Sequence, residues 1–263
     1  MSLLSLAGIV AFAAVLLFSA AWAFARRIDN YSIVDALWSL SFGLFAVPIA
    51  ALAPGDPARR AVYAGMWLVW SLRLGLFLSR RIFSHLDEED RRYRKLREEY
   101  GARVAFRFFL FFFYQAVSVV LLLGPVFVVS RDSHAGFGAL EIAGIVAWVV
   151  GVIGEATADA QMNAFRADPA NRGGVCERGL WRYSRHPNYF FECVTWLGYA
   201  LFALASPGGA WTLYAPAILW TLILFVTGVP MAEKTSLRTR GEKYRAYQRT
   251  TSVLVPWFKK SAR

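Results

Sequence analysis

The 263 residues are 57% hydrophobic and 16% aromatic, with a mean hydropathy of +0.41, which excludes an ordinary soluble globule and points to a membrane protein. The formal charge of +11, from 29 Lys and Arg against 18 Asp and Glu, would suggest nucleic acid in a soluble chain, but here it must first be read as membrane topology. Two cysteines (Cys176, Cys193) and three scattered histidines (His85, His134, His186) exclude a disulfide framework and a structural metal cluster.

The first apolar run, 3–25, is too long for the core of a signal peptide, has no basic residue before it, and closes on Arg26-Arg27 like a stop-transfer flank. It reads as a first span. Further runs cover 32–52, 61–79, 108–129, 139–158, 189–205 and 211–231. At ~1.5 Å per residue most of them cross the ~30 Å hydrocarbon core, and the sixth is short. The expectation is an all-α, polytopic integral membrane protein with seven transmembrane helices. No repeat recurs at a fixed spacing, which argues against an inverted-repeat transporter.

Charge sets the orientation. With the amino terminus outside, the cytoplasmic segments hold Arg26 and Arg27, nine Lys/Arg in the loop 80–107, five between 166 and 185, and nine from Lys234 onward. Arg59, Arg60 and Arg131 fall outside and Arg73 within a span, so the carboxyl terminus is expected in the cytoplasm and nucleic acid is not needed as a partner. The loop 80–107 carries both signs and is helix-prone, as in a solvated helix beside anionic lipid.

Ionisable groups within or at the edge of spans are Asp35, Arg73, Glu155, Asp159, Glu192 and Glu233. Each costs at least ~2.5 kcal/mol to insert, so each is expected to face a cavity or a partner. Glu155, Asp159, Asn163 and Arg166 follow one another at spacings of 4, 4 and 3, which places them on one face of a helix leaving the membrane, either as a site or as i,i+4 contacts. Next, Gly179-Leu180-Trp181-Arg182-Tyr183-Ser184-Arg185-His186-Pro187-Asn188-Tyr189 runs into a helix with proline in its first turn. Free N–H groups flanked by Arg182 and Arg185 suit an anion, and Asn188 shares a face with Glu192. After the last run, Lys234 and Arg238 form an i,i+4 doublet able to grip a phosphate, in a tail with Tyr244 and Tyr247 that also reads as a surface anchor.

Arg185-His186-Pro187-Asn188-Tyr189 with Glu192 and Trp196, together with Gly241-Glu242-Lys243-Tyr244-Arg245-Ala246-Tyr247, resembles the steroid 5α-reductase and sterol-reductase superfamily. With Asn30-Tyr31-Ser32-Ile33-Val34-Asp35 and Trp70-Ser71-Leu72-Arg73-Leu74, the chain is more closely similar to a bacterial branch of reductase-like proteins. The resemblance implies a single membrane domain in the bacterial inner membrane. Its half 1–138 would enclose a lipid-like substrate, and its half 139–263 would bind NADPH from the cytoplasm. By the same resemblance Asp159 and Arg166 match cofactor contacts, Tyr183, Asn188 and Glu192 the nicotinamide-proximal segment, and Arg185, His186 and Tyr189 the sterol-reductase form of it. Lys234 and Arg238 are placed there by analogy, with Asn163, Tyr244 and Tyr247 on the same elements. Arg166, Arg172, Lys234 and Arg238 are the candidates for the 2′-phosphate. Steroid 5α-reductases carry a Gln-Glu pair on the second helix and a Tyr late in the third; here Val34-Asp35 stands at the first place and no Tyr lies between Arg73 and His85.

The leading expectation is an NADPH-dependent reductase of an activated C=C bond in a steroid-like or other lipid substrate, with no metal. Asp35 is the candidate polariser of a carbonyl, acting if burial keeps it protonated, and a salt bridge to Arg73 is its structural rival. Tyr93 is a second candidate if the charged loop folds back, and Glu192 completes the candidate catalytic set. Isoprenylcysteine carboxyl methyltransferases share Arg-His-Pro-x-Tyr and the same architecture. An S-adenosylmethionine-dependent methyltransferase is therefore the enzyme alternative, and a transporter or lipid-binding membrane protein the other.

Overall fold

The computed structural model describes residues 2–84 and 86–260, so His85 lies outside it. Three long helices, α1 (Leu3–Arg27), α2 (Ile33–Leu52) and α3 (Pro57–Phe83), precede a short polar α4 (Arg91–Tyr100). There follow α5 (Val104–Leu122), α6 (Gly124–Val129), α7 (Ala139–Ala167), α8 (Pro187–Leu204), α9 (Tyr214–Thr221), α10 (Val229–Arg240) and α11 (Glu242–Thr250). Among the described residues, extended pairing is limited to a parallel bridge between Ser184 and Ser252.

Local chemistry sets the helix ends. Asp56 caps α3 by accepting from Arg59 N at 2.9 Å, with Pro57 in the first turn, where its missing N–H has no partner to lose. Asp90 caps α4 in the same way through Arg92 N. Gly101 and Gly241 end α4 and α10 at φ +53°, a conformation that side chains with a β-carbon rarely adopt. The run 108–129 is broken between α5 and α6, where Pro125 opens the second helix.

Among the described residues, six helical stretches are long and apolar enough to cross a membrane: Leu3–Arg27, Ile33–Leu52, Pro57–Phe83, Arg91–Val129, Ala139–Ala167 and Gly209–Arg240. The expected sixth run forms α8, 18 residues long, and is not among them. Pro187, Asn188 and Glu192 in its opening turns dilute its hydropathy. The last stretch is not uniform: α9 passes into a π-helical segment, Leu222–Val226, and α10 begins after Gly228.

The chain forms two compact units, Met1–Gly136 with Ser206–Gly208, and Phe137–Ala205 with Gly209–Arg263. In the first, α1 buries Leu6, Val10, Ala14 and Phe18, a stripe at i,i+4 spacing, while Ile9, Phe12 and Leu16 stay exposed as lipid-facing side chains do. Trp22 Nε1 donates to Ala105 O at 3.0 Å and joins α1 to α5. Between α2 and α3, Ser71 Oγ donates to Ser39 O at 2.6 Å and accepts from Gly43 N at 3.0 Å, the small-residue and hydrogen-bonded contact that joins helices where lipid gives no hydrophobic drive. The second unit uses the same device. Gly144 and Gly151 of α7 pack on α8, and Gly198 of α8 packs on Trp148.

Candidate functional site

In the first unit the polar side chains gather at the turn between α1 and α2. Asn30 Nδ2 donates to Leu86 O at 2.8 Å, Tyr31 N to Glu89 Oε1 at 2.8 Å, and Asp90 N to Ser32 Oγ at 2.8 Å. Asn30-Tyr31-Ser32 is thus the socket that receives the charged loop. Arg97 closes it, donating from Nε and Nη2 to the two oxygens of buried Glu89 at 3.0 and 3.1 Å and from Nη1 to Asp29 at 2.7 Å. Its guanidinium lies 5.1 Å from the centre of the Tyr31 ring, which stacks on Phe108. Such a bidentate pair on a buried carboxylate is rigid as well as strong.

Asp90 stands at the entry of this clamp. Burial works to raise its pKa, but the N–H of Arg92 and the guanidinium groups of Arg92 and Arg81 hold it below the ordinary carboxylate value. Because the folded value lies below the unfolded one, the stabilisation is present above the ordinary carboxylate pKa and fades as pH falls through the folded value. Asp90→Ala should therefore lower stability by ~1 kcal/mol at neutral pH through loss of the α4 cap. Thermal unfolding in detergent should show that difference shrinking in acid below the carboxylate range, and a pH-independent difference would refute it.

The folded-back loop brings two sequence candidates together. Tyr93 OH donates to Asp35 Oδ1 at 2.7 Å, and Arg92 Nη2 donates to Asp35 Oδ2 at 2.6 Å. Both oxygens of Asp35 are therefore engaged from α4, and its counter-ion is Arg92, not Arg73 as in the rival structural reading. The physical reason is reach: the clamp at Glu89 and Arg97 delivers α4 to the first turn of α2. The Tyr93 ring is buried against Phe108 and Phe111, leaving its hydroxyl as the polar point of an apolar wall.

In the second unit α7 is continuous through Ala167, so Glu155, Asp159, Asn163 and Arg166 share a face as the spacing implied. Glu155 is buried, Asp159 half-buried, and Asn163 and Arg166 exposed. The turn before α8 docks on this helix. Leu180 N donates to Gln161 Oε1 at 2.8 Å and Trp181 Nε1 to Ala158 O at 2.9 Å. Gly179 has φ +55°, and a β-carbon there would meet Gln161 Cδ at 2.5 Å.

The tail closes over the same turn. Arg185 N donates to Ser252 O at 2.8 Å, Ser184 Oγ to Leu254 O at 2.6 Å, and Trp257 N to Tyr183 O at 2.9 Å. Tyr247 OH donates to the carbonyls of Trp181 and Ser184. Arg185 Nε donates to Glu233 Oε1 at 2.7 Å, and His186 Nε2 and Tyr244 OH lie 3.0 Å from the same oxygen. Burial first, and the Glu233 carboxylate next, push the Tyr244 phenol above its ordinary pKa; burial first, then Tyr244, does the same to Tyr247. Both phenols stay protonated as donors. Arg185, His186, Tyr244 and Tyr247, expected to touch a cofactor, are thus placed inside an internal latch, and of the two flanking guanidiniums only that of Arg182 remains on the surface.

At the start of α8, Asn188 Oδ1 is buried with no hydrogen-bond partner. Buried amide oxygens are normally paired, so this one is open to a donor from a ligand or from water. Tyr189 stacks on His186, and Glu192, on the Asn188 face one turn on, is buried with Oε1 accepting from Trp196 Nε1 at 2.9 Å. Arg172, Tyr183, Lys234 and Arg238 are exposed in this unit. Glu233 is the residue that sequence reasoning left unassigned, and its position at the edge of a span was the signal.

No three His, Cys, Asp or Glu side chains among the described residues are grouped to hold a metal ion. The apolar helices and the two ion-paired clusters define an integral membrane protein of the all-helical class. Within that class the chain belongs to DUF1295, a family of proteins of unknown function, which matches residues 21–251. It is 26% identical to an uncharacterized protein of Schizosaccharomyces pombe over 261 residues, 89% of this chain and 75% of the relative. No solved structure matches the chain.

Proposed function

We propose that this protein is an NADPH-dependent reductase of an activated C=C bond in a steroid-like or other membrane-soluble substrate. The observation that carries the reading is the unpartnered, buried Asn188 Oδ1 at the α8 N-terminus, one turn from buried Glu192. An amide that can accept from a carboxamide of the nicotinamide type, and exposed Arg172, Lys234 and Arg238 suited to phosphate, fit a phosphorylated pyridine nucleotide. The reduced nucleotide supplies hydride. Asn188, Arg172, Lys234 and Arg238 would hold it, and Tyr93, whose one hydroxyl proton is directed to Asp35 in this structure, would turn that proton to the carbonyl oxygen where negative charge gathers. In topology we read α8 as a seventh span, with the amino terminus outside and the tail in the cytoplasm of a bacterial inner membrane, on the strength of the distribution of basic residues.

Binding separates this reading from its rivals. Titrated into the chain in lipid nanodiscs, NADPH should bind and S-adenosylmethionine should not; the reverse would make the protein a methyltransferase, and binding of neither would favour a carrier. Asn188→Ala should weaken NADPH by ~1–3 kcal/mol, since a methyl leaves the ligand's donor unpaired. The nucleotide-free variant should be no less stable than the wild type, because the lost oxygen had no partner. Unchanged affinity in both Asn188→Ala and Glu192→Ala would place the site elsewhere.

A further inference from the structure

The Glu233 carboxylate collects donors from two separate parts of the second unit. Its Oε1 faces Arg185 Nε at 2.7 Å, His186 Nε2 at 3.0 Å and Tyr244 OH at 3.0 Å; its Oε2 accepts from Gln248 Nε2 and lies 3.4 Å from Arg185 Nη2. Arg185 continues the link through Nη1 to the carbonyls of Gln248 and Thr251 at 3.1 and 2.6 Å. The side chains of Arg185, His186 and Glu233 are only 12%, 5% and 15% exposed, so these contacts are little screened by solvent.

With both oxygens engaged, Glu233 is ill suited to bind a nucleotide itself, and its charge would repel a phosphate. Its place in the chain gives it a different part. Arg185 and His186 are the last two residues before Pro187, so their anchoring fixes the backbone from which Asn188 and Glu192 project. On its own helix Glu233 is followed directly by Lys234 and, a turn later, by Arg238, both exposed. One carboxylate therefore joins the start of α8, with its unpartnered amide oxygen, to the cationic face of α10.

We propose that Glu233 is the positioning residue of the nucleotide site, holding the α8 end and the α10 cations at the separation that lets one dinucleotide reach both. The inference rests on the nucleotide reading above. A ligand gripped at two ends gains from their fixed spacing, whereas a ligand gripped at one end does not. The discriminating pair of probes is accordingly NADPH, which spans both ends, and adenosine 2′,5′-bisphosphate, which carries the phosphate end alone.

In Glu233→Gln the expected result is an NADPH affinity lowered about tenfold or more, with adenosine 2′,5′-bisphosphate affinity nearly unchanged. The double variant Glu233→Gln with Gln248→Glu, which returns the carboxylate across the same contact, should recover much of the NADPH affinity. If Glu233→Gln proves too unstable to isolate, Gln248→Ala, which removes one donor and leaves the charge, should show the same split on a smaller scale. Equal losses for both probes, or NADPH binding like the wild type, would overturn the positioning role while leaving the proposed function standing. A wild-type chain that binds neither probe would overturn the proposed function, and this role with it.

Discussion

On the proposed reductase reading, replacing Tyr93 by phenylalanine is expected to slow single-turnover oxidation of NADPH by a membrane-soluble enone roughly 10²–10⁴-fold, the usual worth of a positioned proton donor, with NADPH affinity unchanged. The hydroxyl is the polar point of a buried aromatic wall, and Asp35 Oδ1, at 2.7 Å, fixes its direction. Asp35→Asn should lower the rate as well, because an amide orients the phenol differently and no longer balances Arg92. Its stability loss should be largely recovered by adding Arg92→Gln, whereas its rate should not. A Tyr93→Phe chain with the wild-type rate would remove the Asp35 and Tyr93 pair from the mechanism.

Gly151→Leu is expected to abolish folding of the second unit rather than weaken it. A β-carbon at Gly151 would lie 2.5 Å from Thr195 N and 2.8 Å from Thr195 Cα, which are backbone atoms of a packed helix and have nowhere to go. At Gly144 it would meet Phe202 N at 2.7 Å, and at Gly198 Trp148 N at 2.6 Å, so the whole α7–α8 seam is set for glycine. Overpacking one side chain usually costs about 1–3 kcal/mol; here two helix backbones must part, and the seam's other close contacts part with them. Gly65→Leu, where nothing lies within 4 Å, is the matched control. Size-exclusion profiles and limited proteolysis of the two variants should differ sharply, and a well-folded Gly151→Leu would mean that the seam is looser than described.

The helical plan was legible because apolar runs and i,i+4 spacings are local signals, and the α7 face from Glu155 to Arg166 needed nothing but a continuous helix. The latch was not legible for the opposite reason. Arg185 reads locally as an anion ligand, yet its direction is set by Glu233, 48 residues away, and by the carbonyls that end α11. The loop 80–107 reads as a solvated helix because it carries charges of both signs along the chain. What pins it is Glu89 accepting from Tyr31 N across 58 residues, and Tyr93 reaches Asp35 over the same separation. Arg73, within the third span, was the rival partner for Asp35, but adjacency of spans does not say which side chains meet. The break of the run 211–231 by a π-helical segment had no signature in hydropathy at all.

That π-helical segment makes the length of the last long helical stretch a counted quantity. An α-helix advances about 100° per residue, and a wider turn delays that rotation, so α9 and α10 keep different angular phases along one path. The apolar side chains before Thr227 can then follow lipid while Glu233, six residues later, looks inward to Arg185 and His186. Losing one residue from Leu222–Val226 would leave the hydropathy of the stretch almost untouched and yet swing that carboxylate away from its donors. In this part of the molecule, composition is interchangeable and residue count is not.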